Sequence, residues 1–225
     1  MSYTYLLINL CSVAVPLAFS FEGRLQFYTK WKALFPALLL PAVLFLIWDS
    51  IFTTQGIWGF NEQYVTGIRA FNLPIEEVLF FICIPYCSVF TYEVLNYFIK
   101  KDPLEFFARH AATILVYVLV ALAIRYSDRA YTFYTSIFTA AFLLLHLKVL
   151  KKTYWGRLVL AYLVILLPFF IVNGILTGTG LEEPVVWYND NENMGVRLFT
   201  IPVEDTIYGF LLIGLNITLY EFFKR

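Results

Sequence analysis

The chain has 225 residues, of which 60% are hydrophobic, 20% aromatic and only 14% charged. A soluble domain of this length has no interior large enough to hide so much apolar surface, so the chain reads as an integral membrane protein whose solvent is lipid. Sixteen basic residues balance sixteen acidic ones and no basic tail is present, which excludes a nucleic-acid partner and a polybasic lipid-binding arm.

Apolar runs of about 18 residues or more predict helices over 3–20, 33–53, 73–99, 108–125, 131–150, 157–176 and 202–222, an all-α protein with seven transmembrane helices. The first run reads as a helix and not as a cleaved signal peptide, because no Lys or Arg precedes it and Arg24 is the first basic residue. Lys and Arg are enriched in cytoplasmic loops. Arg24, Lys30, Lys32, Lys100, Lys101, Arg109, Lys148, Lys151, Lys152, Arg157, Lys224 and Arg225 fall on one side, against Arg69, Arg125, Arg129 and Arg197 on the other. The N-terminus is therefore expected outside, on the same side as the two longest loops, about 54–72 and 177–201. Cys11, Cys83 and Cys87 lie inside predicted spans and have too few partners for a zinc site, so packing is their expected role and no metal is expected.

At an offset of 128, NEQYVTGIRAFNLPIEE aligns with NDNENMGVRLFTIPVED, and the match continues to TYE against LYE. Arg69 meets Arg197, Pro74 meets Pro202, Glu76 meets Glu204, Glu77 meets Asp205 and Glu93 meets Glu221. Upstream, with four residues inserted in the second loop, Trp31 meets Trp155 and Asp49 falls against Asn173. One membrane domain is expected, built of a first repeat over about 1–100, a linker helix over about 108–125 and a second repeat over about 131–225. An odd number of spans between two three-helix units keeps the units parallel, so both acidic motifs open on the same side.

Pro74 and Pro202 are expected in the first helical turn, after the cap-type residues Asn72 and Thr200. Acid at a helix N-terminus is favoured by the macrodipole and by itself marks only an interface. Here the motif occurs twice, each time beside an apolar aromatic run, and the intramembrane Asp49 lies near the same side. A charge in lipid costs about 2.5–3.5 kcal/mol on insertion scales, so such groups usually face the bundle interior and act there. Neighbours on a helix point about 100° apart, so the roles should split. One acid of each pair faces a cavity, and the other accepts hydrogen bonds from another helix or from Arg69 or Arg197. A cavity acid that stays protonated can hand a proton to an apolar substrate, and rings such as Phe80, Phe81 and Tyr208 can stabilise a cation beside it.

The seven spans, the repeat and the paired motifs Pro74-Ile75-Glu76-Glu77 and Pro202-Val203-Glu204-Asp205 resemble the heterodimer-type lycopene cyclases of carotenoid biosynthesis over nearly the whole chain. In many bacteria of that family each motif sits on a separate small polypeptide, and fungal relatives fuse both to a phytoene synthase domain. This chain resembles a single-chain fused form that runs to Arg225 without the synthase. The resemblance implies that Glu76, Glu77, Glu204 and Asp205 form the catalytic set, with Asp49, Asn173, Phe80, Phe81 and Tyr208 as candidates for holding substrate and cation. Pro74, Pro202, Arg69 and Arg197 would support the motifs. It also implies an isomerase acting on lycopene or a related acyclic carotenoid in a bacterial cytoplasmic membrane, with β-ionone rings as product and no cofactor. No Gly-x-Gly-x-x-Gly fingerprint of a flavin-dependent cyclase is present. Gln at Glu76 or Glu204 is expected to abolish ring formation, whereas Glu93 and Glu221, near Lys100, Lys101 and Lys224, should tolerate it.

The competing reading is a proton-coupled small-molecule transporter with the same three-one-three helix plan. Against it, the predicted cytoplasmic halves are Leu, Val, Ile and Phe and offer no polar path. A retinal receptor would need a lysine inside the last span, and a di-iron desaturase more histidines than His110 and His146. Membrane lipid is an expected partner. Self-association and association with other carotenoid enzymes are left open.

Overall fold

The structure, a computed structural model, describes residues 3–150 and 153–224. Lys151, Lys152 and Arg225, counted above among the cytoplasmic cations, lie outside the described residues. Seven helices follow the predicted runs closely: α1 (Thr4–Phe19), α2 (Trp31–Thr54), α3 (Ile75–Phe98), α4 (Glu105–Arg125), α5 (Ala130–Leu144), α6 (Trp155–Leu176) and α7 (Val203–Phe223). A π-helical stretch, Leu145–Leu150, prolongs α5. Among the described residues, and with α5 counted through that stretch to Leu150, six of these helices are long and apolar enough to cross a membrane; α1, with 16 residues, is the shorter apolar one.

The halves interlock instead of standing side by side. α2 packs on α7 and α3 on α6, while α1 lies along α3, α5 along α7, and α4 against α5 and α6. Phe45, Phe81, Val89, Phe210 and Ile217, all buried, belong to the core that this crossing creates. At one end of the bundle Glu93 is buried and accepts from both Lys30 and Lys224. Tyr92 donates to Glu221 at 2.9 Å, tying α3 to α7. The carboxylate thus meets Lys224 as expected but takes Lys30 in place of Lys100 or Lys101.

At the other end the loops after α2 and α6 are built alike. The strands β1 (Trp58–Phe60) and β4 (Val186–Tyr188) pair antiparallel with Gly59 opposite Trp187, residues that the 128 offset equates. Reciprocal bonds flank them, from Asn61 N–H to the Val185 carbonyl and from Asn189 N–H to that of Ile57, both at 2.9 Å. An approximate twofold axis therefore runs through this ribbon, and the N-terminal ends of α3 and α7 lie at the same end of the molecule. Each loop then forms a tiny hairpin, β2 (Arg69–Ala70) with β3 (Leu73–Pro74) and β5 (Arg197–Leu198) with β6 (Ile201–Pro202). The turns put Phe71 and Phe199 at φ 58° and 59°, a left-handed conformation unusual for a bulky residue. Both rings are exposed.

The hairpins correct one expectation. Pro74 and Pro202 sit not in the first turn but at the N-cap, in extended backbone with ψ 146° and 136°. There the missing N–H of proline costs nothing, and the ring fixes the angle at which the strand becomes a helix. Asn72 and Thr200 do not cap. Asn72 bonds Ser50 and Thr54 on α2, and Thr200 bonds Thr177 and Thr179 after α6.

Candidate active site

A cavity of about 80 Å³ lies beneath the β1–β4 ribbon, where α2, α3, α6 and α7 converge. Three carboxyl groups line it, Asp49 from α2, Glu77 from α3 and Asp205 from α7, together with Asn173 from α6. Phe80, Phe81 and Tyr208 form walls, Leu212 and Ile213 lie on the side away from the ribbon, and Trp58, Phe60, Val186 and Tyr188 form the roof. Seven of the residues singled out from the sequence thus meet in one space.

Each acid is held by aromatic donors. Asp205 accepts from Tyr131 Oη at 2.5 Å, Tyr188 Oη at 3.0 Å and Asn173 Nδ2 at 2.9 Å. Glu77 accepts from Tyr5 Oη, and Asp49 from Trp58 Nε1. The second oxygen of Asp49 has no hydrogen-bond partner among the described residues. Burial, with Asp205 alongside, pushes the Tyr188 phenol well above its ordinary value, so it remains a donor. Hydroxyls aimed at the carboxyl groups fix their rotamers. Trp58, Tyr131 and Tyr208 meet edge to face, with Trp58 and Tyr131 centroids 5.1 Å apart.

The pairs divide as the 100° helical offset requires. Glu76 and Glu204 turn away from the cavity and bind their own loops: Oε1 of Glu76 accepts from Thr66 N–H at 2.6 Å, and Oε1 of Glu204 from Met194 N–H at 2.7 Å. Thr66 and Met194 are equivalent positions, so both repeats use the first acid as a loop clamp. Glu204 also accepts from Thr132 Oγ1 at 2.6 Å. The expectation that Gln at Glu76 or Glu204 abolishes ring formation thus meets a geometry in which Glu77 and Asp205 face the cavity. Arg69 and Arg197 reach none of the four acids. Arg69 binds Glu62 and the Asn72 carbonyl, and Arg197 binds Asp190 and the Thr200 carbonyl, which holds each hairpin closed.

Tyr5, Tyr131, Trp58 and Tyr188 were not singled out from the sequence. Tyr5 and Tyr131 had a signal, for they are equivalent at an offset of 126: Tyr5 N–H bonds the Tyr64 carbonyl, and Tyr131 N–H bonds that of Glu192. Trp58 and Tyr188 had none. The repeat matches them to Val186 and Phe60, and only the pairing of β1 with β4 sets them opposite each other. Among the described residues no group of three or more His, Cys, Asp or Glu side chains is arranged to hold a metal ion.

Fold and cavity together define an all-α, multi-pass membrane protein with buried acids gathered beneath a loop ribbon. The family model described as lycopene cyclase matches residues 2–95 and again 128–223. The two matches cover most of the chain, and the chain belongs to the lycopene cyclase family, enzymes of carotenoid biosynthesis. No curated protein and no solved structure matches it.

Proposed function

We propose that the protein cyclises the acyclic ψ-ends of lycopene to β-ionone rings by proton transfer alone, as an isomerase of the intramolecular lyase type. The observation that carries this reading is the meeting of Asp49, Glu77 and Asp205 in one aromatic-walled, apolar cavity under a closed roof. One of these acids, in its protonated form, gives a proton to C2 of the ψ-end, leaving a cation at C1. The C5=C6 double bond attacks C1 through C6, which forms the C1–C6 bond and moves the cation to C5. A neighbouring carboxylate takes the proton from C6, and its electron pair restores the C5=C6 double bond. Atoms and charge balance, and no electrons leave the substrate. The rings of Phe80, Phe81 and Tyr208 stabilise the passing cation, worth about 2 kcal/mol or more in dry surroundings. Two acids from pseudo-equivalent positions allow donor and acceptor to lie on opposite sides of one substrate end.

In this reading the domain is a single one. Two three-helix repeats are joined by α4, the N-terminus and the ribbon lie outside a bacterial cytoplasmic membrane, and lipid surrounds the chain. The apolar residues lying away from the ribbon favour this chemistry over a transport path.

Turnover of lycopene by purified protein in D₂O tests the mechanism. One deuterium is expected at C2 of each new ring, since C2 is protonated first and the hydrogen lost comes from C6. A ring formed without solvent deuterium, once exchangeable acids have equilibrated, or a requirement for added flavin or nicotinamide, would overturn it.

A further inference from the structure

The acid cavity is roofed on the loop side, so a substrate dissolved in lipid must reach it sideways. Two lateral grooves flank it, related by the approximate twofold axis. One lies between α1, α3 and α6 and holds about 240 Å³; the other lies between α2, α5 and α7 and holds about 850 Å³. Symmetry makes them counterparts, and side chains make them different.

We propose that the acyclic carotenoid reaches the acid cavity through the α1–α3–α6 groove, and that Trp48 and Phe138 close the larger groove to it. This assignment rests on the cyclase reading and names the path its substrate takes.

The first groove adjoins the acid cavity, for Phe80, Ile84, Phe169, Asn173 and Ile213 line both. Its outer part is made of small or flat residues, among them Ser12, Pro16, Cys87 and Val172. From Phe80 to Thr91 it follows α3 for eleven residues, about 16 Å at the helical rise. That is about half the ~30 Å hydrocarbon thickness, a length that lycopene roughly matches. Half of the polyene thus lies in the groove with its end at the acids, while the remainder stays in lipid.

The second groove is larger, yet none of its lining residues lines the acid cavity. A wall of rings separates them. Phe45 packs on Phe81 and Tyr208 with centroids at 6.0 and 5.0 Å, Trp48 on Tyr208 at 5.1 Å, and Phe52 on Trp58 at 4.9 Å. Trp48 and Phe138 meet edge to face at 5.1 Å. By the offsets of 124 and 126 that relate α2 to α6 and α1 to α5, their counterparts in the first groove are Val172 and Ser12. The two large rings that complete the wall on one side are replaced on the other by an isopropyl and a hydroxymethyl group.

The test exchanges these residues in purified protein in lipid nanodiscs. Val172→Trp and Ser12→Phe should each raise KM for lycopene by about tenfold or more, the discrimination a filled apolar pocket typically gives. Ala141→Trp, which fills the second groove, should leave kcat and KM at wild-type values. A second measurement does not depend on those variants folding. With Cys11→Ala and Cys83→Ala in place, bound lycopene should slow the reaction of Cys87 with a lipid-soluble organomercurial, because its thiol lies in the first groove and donates to the Ser12 carbonyl at 3.3 Å. Wild-type kinetics in Val172→Trp and Ser12→Phe, impaired kinetics in Ala141→Trp, or no protection of Cys87 would each overturn the path. The chemistry is judged separately. If the wild type binds lycopene and Cys87 is protected but no ring forms, the groove stands and the cyclase mechanism falls.

Discussion

The division of labour within each acidic pair can be separated by single substitutions. Glu77→Gln and Asp205→Asn remove the acid at the cavity and should lower ring formation by about 10²-fold or more, the usual contribution of general acid–base catalysis. Glu76→Gln and Glu204→Gln keep an oxygen that can accept from Thr66 N–H and Met194 N–H, and they should lose less than about tenfold. Pigment extraction from lycopene-producing cells reads both sets. The reverse ranking would return the chemistry to the loop-facing acids. Tyr5 and Tyr131 donate to the cavity carboxyl groups of Glu77 and Asp205, and on the proposed mechanism they act through them. Tyr5→Phe and Tyr131→Phe should therefore lower kcat by about tenfold, the effect of one lost hydrogen bond to a charged group, with KM little changed. A rise in KM alone would assign them to substrate binding.

Helix contacts depend on a few close approaches. A Cβ added to Gly214 on α7 would lie 2.7 Å from the ring of Phe142, which is buried on α5. Gly214→Ala must therefore push α5 from α7 or force Phe142 off its rotamer, an overpacking cost of about 1–3 kcal/mol. Thermal unfolding in detergent should show it as a lower Tm. At the far end of α3, Glu93 gathers Lys30 from the start of α2 and Lys224 from the end of α7. Neutral Gln keeps the length but loses two charge-assisted bonds, and leaves two cations facing each other. Glu93→Gln should cost about 1–3 kcal/mol of stability while the acid cavity keeps its activity per folded molecule. The carboxylate pairs inside the bundle and does not reach water. It is buried because helices far apart in the chain bring cations to it.

For the molecule as a whole, the paired β1 and β4 require both long loops to lie on one side of the membrane. Single cysteines at Glu62 and Glu192, with Cys11, Cys83 and Cys87 replaced, should react alike with an impermeant reagent added outside intact cells. Labelling of one loop only from the cytoplasm would break the arrangement. Membrane class, the seven helices, the repeat and the acids that meet at the cavity were all legible in the primary structure. Lipid leaves only long apolar runs as spans, and a duplicated motif repeats its residues at a fixed offset. Which acid of each pair turns inward was not legible, because a 100° rotation has no meaning until the helix has a neighbour. Trp58 and Tyr188 became part of the site only when two loops 128 residues apart paired as a ribbon. The inequality of the two grooves depends on side chains that matter only once α2, α5 and α7 stand together. Local periodicity and hydropathy are properties of a segment, whereas a cavity is a property of the contacts between segments.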